Sequence, residues 1–287
     1  MAVLLDSKDL AAVDQEFAVE SKVWSVLAQG AKDITEADFV GVNEVRVNVM
    51  TGFEQKAYTR NGTNGRSKIN VTKQTRKLEK EIWMGYDLDT LDQSENGSYN
   101  IDTLVETHTR QVAIPEKDVT AVLRLLQNSG KLVEEDATTA NSLQLFDAAE
   151  QYMTDTEVTG PFVMFVSSDY YRKLKGNEQV SKTFTTNEVN LAGIDRRVGM
   201  LDNAIPIIEV PKDRLQVDEA KQINFILVPL QIAAPIEKFS DVTLVPASQD
   251  RDGYRDTIKG LNYYDLIVFD NAKKGIYVSY SEVVPEA

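Results

Sequence analysis

The chain has 287 residues, of which 42% are hydrophobic and 26% are charged, a balance typical of a globular protein of one or two domains. It contains no cysteine and a single histidine, His108, which argues against disulfides, thiol catalysis, Cys-ligated metals and His-based metal clusters. Its net charge of −14 argues against a protein that grips nucleic acid with its whole surface.

The charge is distributed unevenly along the chain. Residues 56–80 contain eight lysines and arginines and one glutamate, a net charge of +7. Residues 1–40 contain eight acids and three lysines, a net charge of −5. Opposite charges on separate segments of one chain favour contacts between copies of the same molecule, in which electrostatics steers association and sets register.

Residues 1–40 are predicted to form an arm and not a domain. Apolar residues are scattered among the acids at spacings that suit short amphipathic helices, and Gly30 marks a helix end. Such a segment cannot bury its apolar face alone, so it should lie on other structure. The apolar run at the N-terminus is too short for a secretory leader, and we expect the protein to be made and kept in a cytoplasm.

Residues 45–84 are predicted to form one long two-stranded hairpin. Valines that alternate with polar residues from Val45 onward indicate the first strand. Two Asn-Gly pairs, at 61–62 and 64–65, mark a polar tip. We expect Ile82-Trp83-Met84 to close the hairpin. Because an isolated hairpin is at best marginally stable in water, this basic hairpin needs a docking surface, and that surface could belong to another molecule.

The rest of the chain is predicted to combine helices and strands. Residues 101–130 should be helical, with a break or kink at 114–118, where Pro115 suits a first helical turn, and an end at Ser129-Gly130. Further helices are expected at 142–153 and 167–174. Strands are expected at 162–166, 205–210, 223–228 and 236–247, followed by a hairpin over 263–280 with its turn at 270–275.

No catalytic or cofactor-binding motif stands out. Gly-rich phosphate loops, the G-x-S-x-G elbow and H-E-x-x-H are all absent. The acidic stretch 87–97 fails the EF-hand spacing, since Leu91 and Asp92 stand where a ligand and a glycine are required. The acidic stretch 250–256 is better explained as a turn around Asp252-Gly253. We therefore expect no enzyme, no catalytic residue, no cofactor and no metal.

The order of these elements resembles the major capsid (major head) proteins of tailed bacteriophages and prophages with the Hong Kong 97-like fold, in particular those of phages of Gram-positive hosts. Stretches similar to that group are 59–62 (Thr-Arg-Asn-Gly), 112–118, 165–171, 262–268 and 274–277. The resemblance implies an α+β fold with an N-terminal arm (1–40), an E-loop hairpin (41–85), a P-domain with a spine helix (86–135), an A-domain (136–231), a P-domain return (232–262) and C-terminal strands that rejoin the A-domain (263–287).

The resemblance also implies a function. It implies a protein that self-assembles as hexamers and pentamers into the icosahedral head shell around phage double-stranded DNA. The shell would be assembled in the host cytoplasm and become part of the virion. Its expected partners are copies of itself, scaffolding and portal proteins, and packaged DNA touched non-specifically, with no membrane. The expected inter-subunit contact residues on the E-loop are Lys56, Arg60, Arg66, Lys68 and Lys73.

Alternatives remain open from the residues alone. An encapsulin, a cellular nanocompartment shell, would share the fold and would need an inner surface that docks cargo. A nucleic-acid-binding protein could use the basic 56–80 hairpin through counterion release, although the hairpin has few aromatic residues for base stacking. An α/β enzyme would need a concave pocket with converging polar groups.

Overall fold

The computed structural model describes residues 20–30, 44–91, 101–177, 185–191, 194–201, 205–215, 221–250 and 253–282, and within them the expected α+β architecture is confirmed. The helices are α1 (Trp24–Gly30), α2 (Ile101–His108), α3 (Ile114–Gln127), α4 (Ser142–Asp155), α5 (Ser168–Gly176) and α6 (Lys212–Leu215). The strands are β1 (Glu44–Thr51), β2 (Asn70–Lys77), β3 (Lys80–Asp89), β4 (Lys131–Glu134), β5 (Phe162–Ser167), β6 (Thr185–Leu191), β7 (Ile194–Leu201), β8 (Ile205–Val210), β9 (Lys221–Pro229), β10 (Ala233–Val245), β11 (Arg255–Val268) and β12 (Tyr277–Glu282). None of the described helices is long and apolar enough to cross a membrane.

A seven-stranded sheet, in the order β4-β12-β9-β5-β8-β7-β6, forms the centre of the larger core. Its strand β5 is buried on both faces. Val163 and Phe165 pack with α3 in one apolar cluster, whereas Met164 and Val166 pack with α4 and α5 in another. Helices cover both faces of this strand, which explains why its sequence is a continuous apolar run instead of an alternating one.

A three-stranded antiparallel sheet, in the order β10-β11-β3, corrects the prediction for the basic hairpin. Strands β1 and β2 do pair, with Glu44 opposite Lys77 and Thr51 opposite Asn70. Residues 82–84 do not close that hairpin, because β3 pairs with β11 instead and Trp83 lies opposite Leu261. Alternating hydrophobicity identifies a strand but does not specify its partner.

The predicted C-terminal hairpin over 263–280 is also wrong. Strand β11 belongs to the three-stranded sheet, and β12 belongs to the seven-stranded sheet, where it pairs with β9 and β4. A 3-10 helix, Asp270–Gly275, carries the chain between the two sheets. This 3-10 helix packs closely against Gly130. A Cβ at that position would lie 2.5 Å from the Lys273 carbonyl oxygen, so a larger residue does not fit there. Residues 270–275 do form a turn between two strands as predicted, but they connect strands of two different sheets.

The long helix expected at 101–130 is present as α2 and α3 joined by a π turn, Thr109–Ala113. Pro115 lies in the first turn of α3 and has no backbone N–H to donate. The wider π turn immediately before it accommodates the missing hydrogen bond, so an irregular turn, and not a gap, lies where a break or kink was expected. The helix ends at Gln127, three residues before Gly130, and Asn128 caps it.

Asp118, on α3, is fully buried and binds the start of the described chain. Its carboxylate accepts hydrogen bonds from the Ser21 hydroxyl and from the backbone N–H groups of the next three residues, at 2.9–3.2 Å. Arg214 of α6 donates to the same carboxylate at 2.6 Å and to the Glu20 carbonyl oxygen at 2.9 Å. One buried ion pair therefore joins the arm, α3 and α6.

Replacing Asp118 with alanine should lower the free energy of unfolding by about 3–5 kcal/mol, because Arg214 would remain buried without its carboxylate. Urea denaturation of the unassembled subunit measures this loss. Glu106→Ala is the control, since the Glu106–Arg110 pair is exposed and should contribute less than about 1 kcal/mol. Equal losses for the two variants would contradict the role given to Asp118.

Candidate functional site

The tip of the basic hairpin, residues 52–69, projects from β1 and β2, and every one of its residues is exposed. Two backbone features shape it. Gly52 has φ +97°, and a Cβ there would lie 2.6 Å from the Lys68 carbonyl oxygen. Asn61 has φ 63°, in the left-handed region that an Asn-Gly pair favours. The turn prediction at residues 61–62 is thereby confirmed.

The five cations predicted to contact another subunit all lie on this hairpin and are exposed, four of them on the tip and Lys73 on β2. Lys56 lies 3.7 Å from Glu54. For the other four, no described acid lies within 4.0 Å. Their charge is therefore available to an acidic surface, and their contact with another copy stays a prediction.

Exposed apolar side chains accompany these cations, a feature that the sequence interpretation missed. Phe53 is 70% exposed and Tyr58 is 79% exposed, and three aliphatic side chains are more than half exposed: Ile69 at the end of the tip, Met50 on β1 and Val71 on β2. The sequence contained part of this signal, because Ile69 and Val71 alternate with polar residues, but only the structure shows that both are exposed. A projection that is both basic and apolar has the composition of a binding surface.

The base of the hairpin, in contrast, is packed. Val45 and Leu78 are buried with Ile236, Tyr263 and Ile267 in a small apolar cluster. The Tyr263 hydroxyl donates to the Leu78 carbonyl oxygen at 3.0 Å. Thus the hairpin is fixed to the three-stranded sheet at one end only, and the tip extends away from it.

Arg124, on α3, connects that base to the long helix. Its Nε and Nη2 atoms donate to the two oxygens of Asp265 on β11, each at 2.8 Å, and Nη2 also donates to Glu79 at 2.7 Å. Asp265 in turn accepts the Glu79 backbone N–H at 2.9 Å. The hydrogen bond with Asp265 raises the pKa of Arg124, which holds the guanidinium in its charged form.

A second ion pair lies at the same base, between Arg76 of β2 and Asp270. The hydrogen bond from Lys273, with a smaller contribution from Arg76, lowers the pKa of Asp270 below its ordinary value. Asp270 therefore remains an anion under ordinary conditions and holds β2 against the crossing between the sheets.

The single histidine has a structural contact. Its Nδ1 atom lies 2.7 Å from the Tyr86 hydroxyl, and the two rings meet edge to face at 5.4 Å. Burial lowers the pKa of His108, which keeps the imidazole neutral near pH 7. The pair joins α2 to β3. Among the described residues, no group of three or more His, Asp or Glu side chains could hold a metal ion.

No protein-family model matches the sequence, and no curated protein is similar enough in sequence to match. Solved structures do match in fold. One from Mycobacterium phage Che8 has a TM-score of 0.68 at 16% identity, covering 97% of this chain and 96% of that chain. The asymmetric unit of the bacteriophage PhiM1 mature capsid has a TM-score of 0.67 at 12% identity, covering 99% and 93%. A virus-like particle from Pyrococcus furiosus has a TM-score of 0.51 at 12% identity, covering 90% and 96%.

These likenesses extend over nearly the whole chain and concern the fold. The chain has the Hong Kong 97-like fold of phage capsid structures, as its element order led us to expect. Within this fold, the basic projection described above is the candidate functional surface.

Arg124→Lys should loosen the hairpin base, because lysine keeps the charge but cannot bond both oxygens of Asp265 at once. We expect faster amide hydrogen exchange in 44–51 and 70–77 and a loss of roughly 1–3 kcal/mol in the free energy of unfolding. The matched control is Arg172→Lys, whose side chain is 81% exposed in its pair with Asp169. Unchanged exchange in both strands would show that Arg124 does not hold the hairpin.

Proposed function

We propose that this chain is the major capsid protein of a tailed bacteriophage or prophage. It self-assembles as hexamers and pentamers into the icosahedral head shell that encloses double-stranded DNA. The observation that carries the proposal is the likeness in fold to phage capsid structures along nearly the full length of both chains. The role is structural, and the protein functions in the virion after assembly in the host cytoplasm.

The hairpin supports this proposal by its construction. Its base is fixed by an apolar cluster and by Arg124, while its tip presents cations and the exposed Phe53 and Tyr58 side chains. Burying an aromatic side chain of this size stabilises a contact by roughly 1.5–3 kcal/mol. The chain outside residues 56–80 is strongly acidic, so another copy offers a surface of complementary charge.

The proposed domains follow the structural layers. We assign the seven-stranded sheet with α4 and α5 to the A-domain, which then includes β4, and the long helix with the three-stranded sheet to the P-domain. Two of the proposed boundaries fall inside strands of the three-stranded sheet, the one between 85 and 86 inside β3 and the one between 262 and 263 inside β11, so we propose to move both to the ends of these strands. Further partners in the proposal are scaffolding and portal proteins and the packaged DNA, contacted non-specifically.

The encapsulin alternative is less favoured. The Pyrococcus furiosus particle matches with a TM-score of 0.51, against 0.68 and 0.67 for the two phage structures.

The nucleic-acid alternative keeps one supporting observation, the exposed aromatic residues beside cations on the tip. Binding of random DNA that collapses as salt rises, by a protein that forms no large assembly, would favour that alternative.

Shortening the tip tests the proposed role of the hairpin. Replacing residues 54–67 by an Asn-Gly turn leaves β1, β2 and the buried Leu78 in place. We expect a folded subunit with a melting temperature close to that of the parent, and loss of shells or capsomers in negative-stain electron microscopy. Normal shells from the shortened protein would contradict the assembly role of the tip.

Neutralising Arg60, Arg66 and Lys68 together, each to glutamine, tests the electrostatic part. We expect assembly followed by light scattering to slow, and its dependence on salt concentration to flatten, since steering by these charges is lost. The control variant neutralises three exposed cations far along the chain, Arg172, Lys175 and Lys212. The same slowing in the control would assign the effect to net charge and not to the hairpin.

A further inference from the structure

An apolar groove lies beside the C-terminal half of α3. Its volume is about 370 Å³. It is lined by Leu123, Leu126, Gln127, Leu132, Lys221, Ile223 and Tyr280. Leu132, on the sheet-edge strand β4, is 44% exposed. In the part of the chain that the structure describes, nothing covers this groove, which is within the size range of sites that bind apolar groups.

The groove is continuous with an apolar stripe on α3. Val119, Leu123 and Leu126 are half-buried and share one side of the helix. The helical period places them away from Lys117 and Arg124, which face Glu237 and Asp265 in the three-stranded sheet. The stripe therefore runs along α3 from the neighbourhood of Asp118 to the groove.

The described chain starts at the other end of this stripe. The Glu20 carbonyl oxygen is held by Arg214, which also pairs with Asp118. From Asp118 to Leu126 the helix rises by about 12 Å. The nineteen preceding residues span roughly 60 Å when extended and about 28 Å as a helix, so they reach the groove in either form.

The sequence of residues 1–19 suits the groove in shape and charge. Leu10, Val13 and Phe17 recur at a spacing that places them on one face of a helix. The segment carries four acids and one lysine, a net charge of −3. Lys221 in the groove wall attracts this acidic segment, and Glu134, which accepts a hydrogen bond from Tyr280 at 3.2 Å, acts in the opposite sense, so the apolar spacing and the reach of the segment carry more weight than its charge.

We infer that residues 1–19 of the same chain bind along α3 and fill this groove with their apolar side chains. The inference does not depend on the proposed function, because the segment would bind in the isolated subunit as well as in a shell.

Cysteine pairs test the inference, and the absence of natural cysteine makes the chain a clean background. Leu132→Cys is combined with Leu10→Cys or Val13→Cys, and the subunit is treated with a copper-phenanthroline oxidant. The control combines the same arm cysteine with Leu244→Cys, at a strand position that is 42% exposed, close to the exposure of Leu132. We expect an intramolecular disulfide to form roughly tenfold faster with the groove cysteine than with the control, because docking raises the effective concentration.

Two outcomes would overturn the inference. Equal rates for the groove and control pairs would show that the segment does not dock there. Disulfide-linked dimers from the groove pair, in place of the intramolecular product, would assign the groove to the segment of a second copy. Gln127→Cys replaces Leu132→Cys if the latter lowers the melting temperature.

Limited proteolysis provides a second test that does not depend on disulfide formation. Leu132→Glu should speed trypsin cleavage after Lys8, measured by mass spectrometry, whereas Leu244→Glu should not. Cleavage that is equally fast in the parent and in Leu132→Glu would contradict docking. Shell formation is scored on the same variants by electron microscopy, so failure of the inference and failure of the proposed function remain distinguishable.

Discussion

The Asp118 carboxylate is the point at which three distant parts of the chain meet. A buried carboxylate is costly unless it is paired and its lone pairs are satisfied. Here an arginine and four further donors satisfy it, and each comes from a segment far from α3 in sequence. These hydrogen bonds fix the backbone that enters α1, and Val23, Val26 and Leu27 then pack into the larger core.

A second carboxylate, Asp265, has the corresponding role for the hairpin. It receives both the Arg124 side chain and the Glu79 backbone N–H, which is the point where the chain turns from β2 into β3. Asp118 and Arg124 lie on the same helix, about 9 Å apart along its axis. The long helix therefore holds residues 20–24 through Asp118 and the base of the hairpin through Arg124.

The elements themselves could be predicted from sequence wherever local pattern decides them. Strand β5 was predictable because Val163 to Val166 are buried on both faces, and the turn at Asn61-Gly62 because its left-handed residue needs that chemistry. The partner of β3 was not predictable, since its alternating pattern suits pairing with β2 and with β11 equally. Only the structure shows that Leu78, between β2 and β3, is buried and that β3 pairs with β11. Asp118 had a weak signal: it falls on the apolar face of α3, in line with Val122 and Leu125.

The candidate site shows the same division between local pattern and tertiary context. The cations of the tip were predictable from charge alone, but the exposure of Phe53 and Tyr58 depends on how far the tip stands from the body. A hairpin fixed at its base by burial and charge, and left uncovered at its tip, keeps its apolar contacts for a partner. The net negative charge of the chain makes copies repel one another in general, whereas a basic tip attracts an acidic surface at close range. The same charge distribution can therefore support both solubility and specific association. In the shell that we propose, the acidic body and the basic tip are complementary surfaces, and a second copy supplies the contacts that the tip lacks in the isolated chain.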